Sequence, residues 1–125
     1  MSGLTLDAGA LIALDRGERS VALLIYHARN QGERLTVPAT ALAQVLRSPV
    51  RQVRLVKLCR QPETDFVALD GPDASAVGLL LADTRTADIV DAHVVICARR
   101  AQQVIVTSDV ADIARLAPDV TTIAI

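Results

Sequence analysis

Three aspartates, Asp7, Asp91 and Asp109, follow or precede short apolar segments at points where a strand and a helix meet, and a fourth, Asp88, lies three residues before Asp91. Residues 86–109 are the most informative stretch: an acidic helix start, an amphipathic helix, and a short apolar strand that stops on Thr107, Ser108 and Asp109. A helix in an α/β unit runs antiparallel to its strand, so the start of this helix and the end of this strand share one edge of a sheet. Asp88, Asp91 and Asp109 are thereby expected close together. Carboxylates so arranged repel, by roughly 4 kcal/mol per pair 4 Å apart at an effective dielectric near 20. A positive group is expected among them, and oxygen donors without Cys or His suit Mg²⁺ or Mn²⁺ rather than zinc. Such a site binds phosphodiester oxygens, activates water and stabilises a leaving oxygen. Taken singly, Asp7, Asp91 or Asp109 also reads as an ordinary helix cap.

The positioning elements follow from the pattern. Residues 4–6 read as a strand ending at Asp7, and residues 8–14 and 21–30 as a helical hairpin, the second helix capped by Ser20 and ended by Gly32. Residues 35–37 read as the second strand, and the helix over 39–47 carries Gln44 near the same edge. Ser48 and Pro49 predict a cap and first helical position for a helix over 49–60. With Arg47, its Arg51, Arg54 and Lys57 make the one basic strip, read as a solvated face or a phosphate contact. Residues 66–69 predict a third strand, 74–82 a crossover helix, 83–87 a polar link with Arg85, 110–116 a short helix and 121–125 a last strand. Alternating strands and helices, with strands nearly all apolar, specify a mostly parallel sheet of about five strands covered on both faces. In such a sheet ligands bind at the carboxyl ends of the strands, where Asp7, Gln44, Asp91 and Asp109 converge.

The 125 residues, 51% apolar, are expected to form a single domain over 1–125. No apolar run approaches the length of a membrane span. The start from Met1 shows no leader pattern, and Cys59 and Cys97, far apart, read as buried thiols of a cytoplasmic protein. A net charge of −1 argues against broad non-specific nucleic-acid binding, and two aromatic residues, Tyr26 and Phe66, offer no stacking platform. The apolar excess suggests cover by another chain. His93 is expected to point away from Asp91 as a partly buried or solvated side chain, and His27 has no evident partner. Arg85 is placed for a phosphate or for Asp88.

The segments D-A-G-A-L-I-A-L from Asp7, T-A-L-A-Q-V-L-R around Gln44, V-D-A-H-V-V-I-C-A around Asp91 and V-T-S-D ending at Asp109 resemble, in order and spacing, the four motifs of PIN-domain ribonucleases. In length the chain is most similar to VapC-type toxins of toxin–antitoxin pairs. The resemblance implies a three-layer α/β/α PIN-like fold, Mg²⁺ or Mn²⁺ held by Asp7, Asp91 and Asp109, and Ser108 or Thr107 orienting a ligand or water. It further implies endonucleolytic cleavage of RNA leaving a 5′-phosphate and 3′-hydroxyl, a homodimer, and a VapB-type antitoxin that covers the acidic edge. Gln44 stands where the family usually has glutamate; an amide can coordinate but brings no charge and no base. Asp88 is the residue expected to compensate. A second reading is therefore a catalytically impaired PIN domain that binds RNA or an antitoxin without cutting. A receiver-like phospho-acceptor shares the alternation but lacks the acidic pair after the first strand and the final lysine.

Overall fold

The computed structural model describes residues 3–125. The expectation drawn from the amino terminus rests partly on Met1 and Ser2, which lie outside them. Five strands alternate with seven helices: β1 (Gly3–Leu6), α1 (Ala8–Asp15), α2 (Arg19–Asn30), β2 (Arg34–Pro38), α3 (Ala39–Val45), α4 (Val53–Arg60), β3 (Thr64–Val67), α5 (Gly71–Thr84), α6 (Ile89–Ala101), β4 (Val104–Thr107), α7 (Val110–Leu116) and β5 (Thr122–Ala124). All strand pairings are parallel, in the order β3-β2-β1-β4-β5. The fold is the three-layer PIN-like one, with an entirely parallel sheet.

Strand composition explains the layering. β1 and β4 are buried along their whole length, as apolar central strands covered on both faces must be. Gly3 opens β1 at φ 124°, where a Cβ would stand 1.8 Å from the Arg34 carbonyl oxygen, so the close register with β2 requires glycine there. α1 packs on α2 and α4, α6 on α5 and α7, and α3, which follows β2 directly, touches both α1 and α6. α6 lies across β1, β2 and β4. Strand order reverses between β1 and β4, which makes the crevice beyond their carboxyl ends the topological switch point.

Local departures from the sequence reading have identifiable causes. The helix expected from Pro49 begins at Val53. Residues 48–52 form a turn closed by Gln52, whose Oε1 accepts from the Arg47 and Ser48 amides at 2.7 and 3.0 Å while its Nε2 donates to Asp15 and to the Val45 carbonyl. Ser48 and Pro49 are thus held in this turn, and α4 starts after Gln52 without a side-chain cap. Ser20 is inside α2, whose cap position is Glu18 without a side-chain bond. β3 comes earlier than expected, paired residue by residue with Leu35–Pro38. Cys97 is buried and Cys59 half-buried, and both are free. Among the described residues, no helix is long and apolar enough to cross a membrane.

Candidate functional site

Three carboxylates at the switch point are positioned by the helix each one starts. Asp7 Oδ1 accepts from the Ala10 amide at 2.8 Å and caps α1, Asp88 Oδ1 accepts from Asp91 N at 2.9 Å and caps α6, and Asp109 Oδ1 accepts from Asp112 N at 3.2 Å and caps α7. Capping and site-building are therefore compatible: a cap occupies one carboxylate oxygen and leaves the other. Thr107, fully buried, links two of these residues, accepting from the Asp109 amide at 2.9 Å and donating to the Asp7 carboxylate.

The protonation behaviour reports the crowding. Asp91 is pushed up to about 6, first by burial, then by the charges of Asp88, Asp7, Asp112 and Asp109. Asp7, 4% exposed, is also raised, again chiefly by burial; its bonds from Thr107, Ala10 and Gly9 pull the other way, and Asp109 adds to the rise. Asp112 is raised by its hydrogen bond with Asp109 and by that residue's charge. Five aspartates therefore face one another. Among the described residues the sole cation paired with any of them is Arg115, 3.7 Å from Asp112 in an exposed contact.

Asp112 is the member that sequence reasoning missed. Its signal was present, three residues after Asp109 in the first turn of the helix that Asp109 caps. Ser108 is exposed beside Gly9, where a Cβ would lie 2.1 Å from Ser108 Oγ and 3.3 Å from Asp7 Oδ1, so glycine there lets the hydroxyl approach the carboxylate. Gln44 lies on an exposed part of α3, and no hydrogen bond ties it to the aspartates among the described residues. Arg85 lines the same cleft as Asp88 and Asp91 without an ion pair to Asp88. The basic strip is partly committed elsewhere, Arg47 donating to the Ala43 and Leu46 carbonyls and Arg54 to that of Asp15.

His93 corrects an expectation. It does point away from Asp91, but it is fully buried rather than partly buried or solvated. Its Nδ1 lies 2.7 Å from Thr40 Oγ1 and its Nε2 3.0 Å from Asp73 Oδ2, while Arg100 bonds the other Asp73 oxygen. Asp73, His93 and Cys97 bring ligand-type atoms within 4.8 Å of one another. Both imidazole nitrogens and both Asp73 oxygens are already engaged, however, and burial pushes the Cys97 thiol up to about 12. That chemistry describes a neutralised clamp between α3, α5 and α6. The open carboxylates at the switch point have the donor set that suits a hard divalent cation: several oxygens and an excess of negative charge that the exposed Arg115 contact offsets only in part.

No protein-family model matches the chain, and no curated protein matches it. Solved structures do. A chain of DNA-bound VapBC from Salmonella typhimurium aligns with TM-score 0.71 at 16% identity, over 99% of this chain and 98% of that one. VapBC2 from Rickettsia felis, bound to a promoter DNA fragment, gives 0.69 at 12% identity with 98% of each chain covered. FitAcB from Neisseria gonorrhoeae gives 0.65 at 14% identity with 95% of each covered. At these identities the likeness is one of fold.

Proposed function

We propose that this chain is the toxin of a toxin–antitoxin pair and a Mg²⁺- or Mn²⁺-dependent endoribonuclease whose site is the carboxylate cluster of Asp7, Asp91 and Asp109, with Asp88 and Asp112 beside them. One observation carries the reading: five aspartates at the starts of α1, α6 and α7 face one another at the topological switch point, and among the described residues one exposed arginine, Arg115, pairs with any of them. Asp7, Asp91 and Asp109 would hold the ion, and Asp88 would supply the carboxylate that Gln44 lacks. A divalent cation bound there would polarise the phosphodiester and promote ionisation of the attacking water.

The chain's own groups do the rest. Thr107 and the Ala10 amide fix Asp7, so one of its oxygens is presented without rotational search. Asp88, held by Asp91 N, sets the first turn of α6 and with it the direction of Asp91. Ser108, next to Gly9 and Asp7, offers a hydroxyl to orient water or a phosphate oxygen.

The fold is shared with chains of VapBC and FitAB complexes, which supports a VapB-type antitoxin as partner. A second copy of the chain and that antitoxin would cover exposed apolar side chains such as Leu79 and Tyr26, which are 74% and 61% exposed. Gln44 favours a second reading, an RNA- or antitoxin-binding module that does not cut. Cleavage of structured RNA by antitoxin-free protein, titrated with Mg²⁺ and Mn²⁺ beside Asp7→Asn, separates the two. Metal-dependent cutting lost in the variant supports the nuclease, and no cutting under any metal condition supports the binding module.

A further inference from the structure

Asp88, Asp91 and Asp112 line a cleft of about 290 Å³ that also holds two guanidiniums, Arg85 and Arg115. Most other arginines with a carboxylate partner hold it closely: Arg29 with Glu63, Arg34 with Asp65, Arg99 with Asp119 and Arg100 with Asp73. Arg115 instead stands 3.7 Å from Asp112, beyond hydrogen-bond reach, with its side chain 66% exposed. The Arg85 side chain has no hydrogen bond or ion pair among the described residues.

The backbone nevertheless fixes where Arg85 begins. It ends α5 in the left-handed conformation, φ 56° and ψ 44°, with its amide bonded to the Leu81 carbonyl. The next residue is tied to the same carbonyl through Thr86 N at 3.1 Å, and the Thr84 and Thr86 hydroxyls bond each other at 2.9 Å. Gln102 ends α6 in the same conformation, so the conformation alone carries no meaning. What distinguishes Arg85 is a rigid root, an unengaged head and a place beside the carboxylates.

A guanidinium offers paired N–H donors matched to two non-bridging phosphate oxygens. Three aspartates outnumber two arginines in the cleft, so an anion binds there only once a cation has offset the carboxylates. We infer that Arg85 and Arg115 grip the RNA backbone phosphate adjoining the one at the carboxylates. This rests on the ribonuclease reading and adds to it the residues that hold the strand. Arg85 and Arg115 act by positioning, since neither is placed at the reacting atoms.

The test is the anisotropy of a short end-labelled single-stranded RNA, recorded with Mg²⁺ before cutting accumulates and across a salt series. Native protein is compared with Arg85→Ala, Arg115→Ala, the double variant, Arg85→Lys and Arg60→Ala at the far end of α4, with melting temperatures taken in parallel. Loss of the one gripped phosphate makes the slope of log K against log salt shallower by about 0.7 and weakens binding roughly tenfold. Each single alanine variant gives about half that slope change, Arg85→Lys keeps the native slope with weaker binding, and Arg60→Ala and all melting temperatures stay native. A double variant with native affinity and slope overturns the inference, as does an equal loss in Arg60→Ala. Should native protein cut RNA while the double variant binds normally, the inference falls and the nuclease reading stands. Slope loss without any cutting supports the inference and removes the nuclease reading, whereas native protein that binds no RNA overturns both.

Discussion

Asp91 and His93 sit two residues apart on α6 and open onto opposite kinds of environment. On one side, Asp73 is held below the usual carboxylate range, first by its hydrogen bond from Arg100 and then by His93, in a network that satisfies every group in it. On the other, Asp91 is pushed up to about 6 by burial and by four neighbouring carboxylates. Both regions place aspartates in the first turn of a helix. The difference teaches that the fold neutralises a buried carboxylate where it supplies close partners, whereas at the switch point five carboxylates share one exposed ion pair, Arg115 with Asp112, among the described residues. Charge left so little relieved is what the proposed cation would offset.

The sharpest way to break this comparison is to neutralise Asp91. Asp91→Asn is expected to lower RNA cleavage by roughly a hundredfold or more, since a ligand to the metal is lost. The same variant is expected to raise the melting temperature of metal-free protein at pH 7. The sign follows from linkage: a carboxyl raised from 3.8 to about 6 contributes its full stability below pH 3.8 and loses it as pH rises through 6. At pH 7 the ionised group is a burden that the amide removes. A melting temperature that falls at pH 7 would contradict it.

Asp73 should respond in the opposite sense. Asp73→Ala leaves buried His93 without its carboxylate and frees Arg100, at a cost of about 3 kcal/mol, or roughly 10 °C in melting temperature. The folded pKa of Asp73 is depressed, so its contribution is present above pH 3.8 and is lost as pH falls through the folded value. Acid denaturation of native protein that is no steeper than that of Asp73→Ala would remove the contrast between the two regions.

Asp88 divides the cap from the charge. Asn caps a helix about as well as Asp, so Asp88→Asn keeps α6 in place and removes only the negative charge. If Asp88 stands in for the missing glutamate, cleavage falls as far as in Asp91→Asn with a melting temperature no lower than native. A near-normal rate assigns Asp88 to capping alone. Gly9→Ala is expected to be milder: the new methyl displaces the Ser108 hydroxyl, whose present position lies 2.1 Å from it, and cleavage falls several-fold with little change in stability. Smallest of all is Gln44→Glu, expected to change the rate less than tenfold because Asp88 and Asp112 already bring carboxylates to the cluster and Gln44 has no bond to it.

The acidic side of this comparison was largely legible in the sequence, and the neutralised side was not. Asp7, Asp88, Asp91 and Asp109 announce themselves because each joins a polar stop to an apolar strand or helix, and parallel topology alone carries them to one edge. Thr40, Asp73 and His93 are separated by 53 and 20 positions along the chain, and no local periodicity foretells that three such side chains will meet. The turn before α4 was missed for a different reason, competition between two local signals. Ser48 and Pro49 have the right types for a helix start, but Gln52 reaches back to bond two amides at once and claims those residues for a turn.

Whether the switch-point aspartates take a divalent cation is tested most directly by calorimetric titration of Mn²⁺ into metal-free protein at pH 7 and pH 5, beside Asp91→Asn. Saturable binding by native protein is expected at pH 7, weaker at pH 5 where protons compete for Asp91, with loss of that binding in the variant. Equal uptake by native protein and Asp91→Asn, or none by either, would contradict it.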